Sequence, residues 1–268
     1  MEYKNVTFVL ASMLSTYTVN EFDVKMPIAM QNENGVLDAI KDNLSGTNLC
    51  LIIANDPNNY EKNDEKCAIF TESLEKAGLK FNQTLVLDNR TRELAPLNIK
   101  RANLILLQGG KIICQNEFLK EIRFADRLKF SNAVVIGVSA GAMNLAKEVY
   151  NFPESRQDLS EMREIKGLSF YDKIIIPHFD GDNLNYQLPL DDDIDPVKDY
   201  ILPYSNKKSL LGLPNGSFVL VKNEIAEIFG KHYIIENRQV TAENDSPCYM
   251  PINMRELDSD EIMWNNNC

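Results

Sequence analysis

The sequence predicts an α/β protein built on a three-layer, mostly parallel, doubly wound sheet with an antiparallel C-terminal extension. Three observations lead there. Short, almost continuously apolar runs recur along the chain, the pattern of strands covered on both faces. Segments with helical spacing lie between them, and this alternation favours parallel pairing through crossover helices. Past residue 206 the helical segments give way to short strands separated by turn signals.

The apolar runs are VTFVLAS (6–12), LCLIIAN (49–55), TLVLD (84–88), NLILLQ (103–108), AVVIGV (133–138) and KIIIP (173–177). Between the second and third, Cys67, Phe70, Leu74 and Ala77 fall on one helical stripe, and Gly78 stands where a helix stops. Leu119, Ile122 and Ala125 mark another helix within 115–129. The C-terminal region SLLGLPNGSFVLVKNEIAEIFGKHYIIENRQV has turn signals at Pro214-Asn215-Gly216 and Asn223-Glu224, and reads as a hairpin extension of the same sheet. Residues 13–35, 180–200 and 243–268 read as loops, insertions or tail. With no internal repeat or low-complexity linker, the expectation is one domain over 1–242 and a polar tail over 243–268.

Bulk properties exclude several function classes. A chain of 268 residues with 44% hydrophobic and 25% charged residues is ordinary for a globular protein. It can bury roughly three quarters of its unfolded surface without a disulfide or metal. A net charge of -11 and a pI near 4.8 argue against nucleic acid and against anionic membranes. Five cysteines, widely spaced and without a C-x-x-C pair, fit a reducing cytoplasm, with Cys67 and Cys114 read as small core groups. The apolar run near the N-terminus is short for a signal peptide and reads as a core strand. Two histidines and no cysteine cluster cannot build a typical zinc centre, and no phosphate-binding glycine motif is present, so no cofactor is expected.

Open parallel sheets bind ligands at the carboxyl ends of their strands. Two such ends stand out: Gly109-Gly110 after NLILLQ, and Ser139-Ala140-Gly141 after AVVIGV. Gly137, Ser139 and Gly141 form a G-x-S-x-G pattern, in which a serine on a crowded strand-to-helix turn needs small neighbours. The alternative is a tight turn without chemistry. A helix starting at Ala140 would bring its first amides and positive dipole end beside the serine, where they could stabilise an oxyanion. A serine needs a base. His178 follows KIIIP and so should lie at the same sheet edge as Ser139, whereas His232 reads as an exposed strand residue. Gly109 and Gly110 could expose backbone N–H groups to a substrate, or serve only a positive-φ turn.

Taken in order, LILLQGG, VVIGVSAGAMNLA, KGLSFYDKIIIPHFD and SLLGLPNGSFVLV resemble the serine peptidase family of aspartyl dipeptidase (dipeptidase E) and cyanophycinase, across residues 5–240. The resemblance implies a class I glutamine amidotransferase-like fold, with Ser139 as nucleophile and His178 as base. It also implies Gly109-Gly110 as the oxyanion loop and the Ala140 N–H as second donor. Two positions depart from the family pattern. Lys111 stands where Asn usually follows the glycine pair, and Asn215 stands where the family has its catalytic Glu. An Asn can orient an imidazole but brings no charge to stabilise imidazolium. Asp180 and Asp182 are candidate substitute acids. The loop after His178 also carries Asp191, Asp192, Asp193 and Asp195 and no Arg. As a binding surface it would favour an amine, although an acidic run in a long loop is more often solvated surface. Lys111 could meet a substrate carboxylate or point to solvent.

The expected function is a serine-type peptidase cleaving a small peptide through an acyl-enzyme. The alternative is a weakened or inactive relative that binds a small peptide or metabolite. An amidotransferase using cysteine is disfavoured, because no Cys occupies the elbow. Oligomeric state stays open; the hairpin-rich C-terminal region or residues 13–35 could cover a sheet edge or form a homodimer.

Overall fold

Strand β1 (Thr7–Ala11) is buried along its whole length, and the rest of the chain is organised around it. A hairpin of β2 (Tyr17–Val19) and β3 (Lys25–Pro27) follows, then α1 (Val36–Asn43). The chain alternates through β4 (Leu49–Ile53), α2 (Tyr60–Lys76), β5 (Gln83–Leu87), α3 (Ala95–Arg101), β6 (Leu104–Leu107), α4 (Ile112–Glu121), α5 (Phe124–Leu128), β7 (Val134–Val138) and α6 (Ala140–Leu145). It continues with β8 (Glu148–Asn151), β9 (Arg163–Lys166), β10 (Ile174–Pro177), β11 (Phe179–Asp180), β12 (Asn183–Leu184) and the short α7 (Leu202–Tyr204). The last strands are β13 (Leu210–Leu213), β14 (Phe218–Lys222), β15 (Ile225–Phe229), β16 (His232–Glu236), β17 (Gln239–Glu243) and β18 (Met250–Pro251). This computed structural model describes residues 3, 5–153, 160, 162–184, 194–243 and 250–251.

The main sheet has the order β18-β15-β14-β1-β7-β6-β4-β5. Strands β1, β7, β6, β4 and β5 run parallel, and β14, β15 and β18 add antiparallel strands at one side. Side chains alternate across it as a strand period of two requires. Phe8, Leu10, Leu51, Ile105 and Val135 face one apolar cluster with Phe118 and Phe124 of the helices. Val9, Cys50, Ile52, Leu106 and Ile136 face the other, with Ile40, Phe70 and Leu74. Helix α2 ends at Lys76, and Gly78 takes φ +79 just beyond it. No helix among the described residues is long and apolar enough to cross a membrane.

Several expectations are corrected. The C-terminal extension does not lie on one sheet: β14 and β15 join the main sheet, while β13, β16 and β17 pair with β10 in a second sheet, ordered β10-β13-β16-β17. Thus the KIIIP strand runs parallel to β13 and not within the sheet that bears Ser139. Its apolar run is continuous because both faces are covered, Ile175 by the main core and Ile174 and Ile176 by a third cluster. The 115–129 helix is two helices, broken where Arg123 takes φ +47. His232 is buried, 1% exposed, with Nδ1 near Gly230 O and Nε2 3.3 Å from Glu243 Oε2. Of the cysteines, Cys50 is buried, while Cys67 and Cys114 are only half-buried. Most of the tail, including Cys248 and Cys268, lies outside the described residues.

Candidate active site

Strand β7 ends at Val138 and α6 starts at Ala140, so Ser139 alone must turn the chain. It does so with φ +51 and ψ -112, a backbone conformation that residues with a Cβ rarely adopt and that surrounding structure must hold. Two backbone bonds hold it: Ser139 N donates to Ala11 O at 3.0 Å, and Met143 N donates to Ser139 O at 3.0 Å. The small neighbours have steric reasons. A Cβ on Gly137 would strike the backbone of Gly141 and Ala142, and one on Gly141 would strike the Leu107 carbonyl. Glycine at these positions lets α6 pack against β6 and β7 at backbone distance.

His178 follows β10 directly and takes φ +62. Its Nε2 lies 3.0 Å from Ser139 Oγ. Its Nδ1 lies 2.7 Å from Asn215 Oδ1. Since that oxygen can only accept, Nδ1 carries the hydrogen and Nε2 presents its lone pair to the serine hydroxyl. Burial holds the imidazole below the usual histidine range, against a smaller upward pull from the Asn215 hydrogen bond. A neutral, correctly oriented ring is the form able to accept a proton. Asn215 is placed by the β13–β14 turn, closed by Ser217 N donating to Pro214 O at 3.1 Å, with Gly216 at φ +85. Asn34 Nδ2 donates to Gly216 O at 3.1 Å and ties this turn to the segment before α1.

The glycine pair reaches the same place from β6. A Cβ on Gly109 would lie 3.3 Å from Ser139 Cβ, so this backbone passes directly beside the serine. Gly110 takes φ +134, and a Cβ there would collide with the Asn55 side chain, so glycine is required on both counts. Ala140 N, the other sequence-predicted donor, is the first amide of α6. Lys111 Nζ pairs with Asp56 Oδ2 at 2.8 Å. Asp180 Oδ1 accepts from Tyr233 Oη at 2.7 Å and pairs with Lys231 Nζ at 3.0 Å. Asp182 Oδ1 accepts from Asn183 Nδ2. Asp195 pairs with Lys198, while Asp191, Asp192 and Asp193 lie outside the described residues.

Sequence reasoning missed three contributors. Ser12 Oγ accepts a 2.7 Å bond from the His178 backbone amide. Lys66 Nζ donates at 2.8 Å to both Asn55 Oδ1 and Gly109 O. Ser12 and Asn55 are polar residues at the carboxyl ends of β1 and β4, a position that could have flagged them. Lys66 gave no comparable signal, being one lysine among several on α2. Among the described residues, no group of three or more His, Cys, Asp or Glu could hold a metal ion.

The sequence profile of Peptidase family S51 matches residues 29–229. Among solved structures, a peptidase from an acI-B1 Actinobacterium superposes with a TM-score of 0.61 at 16% identity, covering 93% of this chain and 99% of its own. A protein assigned as peptidase E from Listeria monocytogenes EGD-e gives a TM-score of 0.46 at 16% identity, covering 91% of this chain and 99% of its own. No curated protein matches.

Proposed function

Because this chain belongs to Peptidase family S51, with its class I glutamine amidotransferase-like fold, we propose that it hydrolyses a small peptide as a serine-type enzyme. The observation that supports this reading is the line Ser139 Oγ–His178 Nε2 at 3.0 Å and His178 Nδ1–Asn215 Oδ1 at 2.7 Å. Ser139 Oγ attacks the scissile carbonyl while Nε2 takes its proton. The carbonyl oxygen becomes an oxyanion facing the Gly110 and Ala140 amides. The imidazolium then protonates the leaving amine, which departs and leaves an ester on Ser139. Water attacks that ester, its proton passing to Nε2, and Ser139 recovers its hydrogen as the acid product leaves.

Asn215 fixes the tautomer through this cycle but adds no negative charge when the ring becomes imidazolium. A carboxylate at that position would also stabilise the imidazolium, which an amide cannot do. We therefore assign a slow peptidase. Asp180 is engaged by Lys231 and Tyr233, which disfavours it as the substitute acid. The site draws on residues from Ser12 to Asn215, consistent with one domain over 1–242. Its cysteine usage favours a reducing cytoplasm.

A fluorophosphonate probe and a library of dipeptides and tripeptides, including Asp-X and β-Asp-Arg, test the reading. Labelling and turnover should both vanish in Ser139→Ala and His178→Ala. A chain that binds peptides yet neither labels nor turns over would instead be a binding relative, the reading that the uncharged Asn215 favours.

A further inference from the structure

Lys66 lies on α2, away from the Ser139–His178–Asn215 line, yet its ammonium reaches the neighbouring loop. It donates at 2.8 Å to Gly109 O and at 2.8 Å to Asn55 Oδ1. The Asn55 side chain is in turn the wall against which Gly110 packs. One cation therefore grips the carbonyl of the Gly109–Gly110 peptide and the amide that confines the second glycine. A peptide unit is planar and trans, so its C=O and N–H point in opposite directions. Holding Gly109 O toward α2 turns the Gly110 N–H away from α2. A cation on the carbonyl also draws electron density from the N–H and makes it a better donor.

We infer that Lys66 is the positioning residue of the oxyanion loop, fixing and polarising the Gly109–Gly110 peptide so that the Gly110 amide meets the negative charge formed during attack by Ser139. This rests on the peptidase reading above. Lys66 touches no reacting atom and acts through that peptide. Its function requires its proton, because a neutral amine is a far weaker polarising group.

Its surroundings make that proton labile. Lys66 is half-buried, and its pKa is pushed down to about 8, chiefly by burial and then by Lys25 of β3 and Lys62 of α2, with Glu65 opposing. The acid at the end of β4, Asp56, is paired with Lys111. Deprotonation therefore falls in the mildly alkaline range. Activity should rise as His178 loses its proton, then fall as Lys66 loses its own.

The test is the rate of fluorophosphonate labelling of the full chain between pH 6 and 10, for wild type, Lys66→Met, Lys66→Arg and Ser139→Ala. Loss of one oxyanion donor typically costs 10²–10³ in turnover, so loss of its positioning should cost about 10- to 100-fold at pH 7. Lys66→Met is expected to label that much more slowly, with the peptide KM little changed, and Lys66→Arg to recover part of the rate. Wild-type labelling should decline above pH 8, a limb missing from Lys66→Met. The wild-type limb needs no variant, so the inference stays exposed even if Lys66→Met folds poorly. Wild type and Lys66→Met labelling within twofold, with the same alkaline limb, would overturn it while leaving Ser139 as nucleophile. A wild type that fails to label at all would overturn the peptidase reading, and this inference with it.

Discussion

The backbone amide of His178 donates a 2.7 Å hydrogen bond to the hydroxyl of Ser12, and the residue before Ser12 accepts the amide of Ser139. The end of β1 thus gauges the distance between the proposed nucleophile and its base. Although β10 lies in a different sheet from β7, this contact sets the 3.0 Å approach of Nε2 to Oγ.

Ser12→Ala should therefore act on the site more than on the fold. The lost acceptor costs ~1 kcal/mol of stability. With the His178 backbone released from its positive φ, labelling of Ser139 should fall about tenfold, in line with the sensitivity of catalysis to small misplacements. Thermal denaturation and probe labelling on one preparation would separate the two effects. An unchanged labelling rate would remove Ser12 from the positioning of His178.

The pH profile is expected to report the burial of His178. Its pKa is lowered from 6.5, and the neutral ring is the active form, so the acid limb of kcat/KM should lie below pH 6.5. Asn215→Asp places a carboxylate on Nδ1, which favours imidazolium and raises the histidine pKa. That variant should show higher kcat and an acid limb moved to higher pH than wild type. A limb unmoved by Asn215→Asp would mean that another group governs it.

Gln108 offers a stability prediction. It is 3% exposed and sits at the end of β6, and neither of its side-chain amide atoms has a hydrogen-bond partner among the described residues. Burying such atoms unpaired costs ~1–3 kcal/mol. Gln108→Met keeps the length and removes both polar atoms, so its melting temperature should rise instead of falling as core substitutions usually do. A fall of several degrees would show that the amide is satisfied in solution.

Gly110→Ala is expected to be folded but almost inactive. The φ of +134 opposes any side chain, and the added methyl would displace Asn55, which Lys66 also holds. Circular dichroism should stay close to wild type while labelling drops at least tenfold. Wild-type labelling would show that the oxyanion contact does not pass through this loop.

Much of the site was legible because each part has a local signature. Ser139 needed small flanks, the glycine pair followed a buried strand, and His178 was one of two histidines in the chain. The pairing of β10 with β13 was not legible, because a strand covered on both faces looks the same in either sheet. His232 escaped for a related reason: its Glu243 partner is brought close only by the β16–β17 register. Lys66 was invisible because its meaning lies in a carbonyl 43 residues away, and nothing in the helix around it distinguishes a structural cation from a solvated one.

The position of β1 has a consequence for synthesis. Among the described residues it comes first in the chain, yet its neighbours in the sheet are β7 and β14, and Asn215 precedes the second of these. A chain emerging from the ribosome holds Ser12 early, but cannot bring Ser139, His178 and Asn215 into line until β14 has been translated and seated. Partial products therefore emerge without the Ser139–His178–Asn215 alignment. The order of strands thus ties completion of the proposed site to completion of the main sheet.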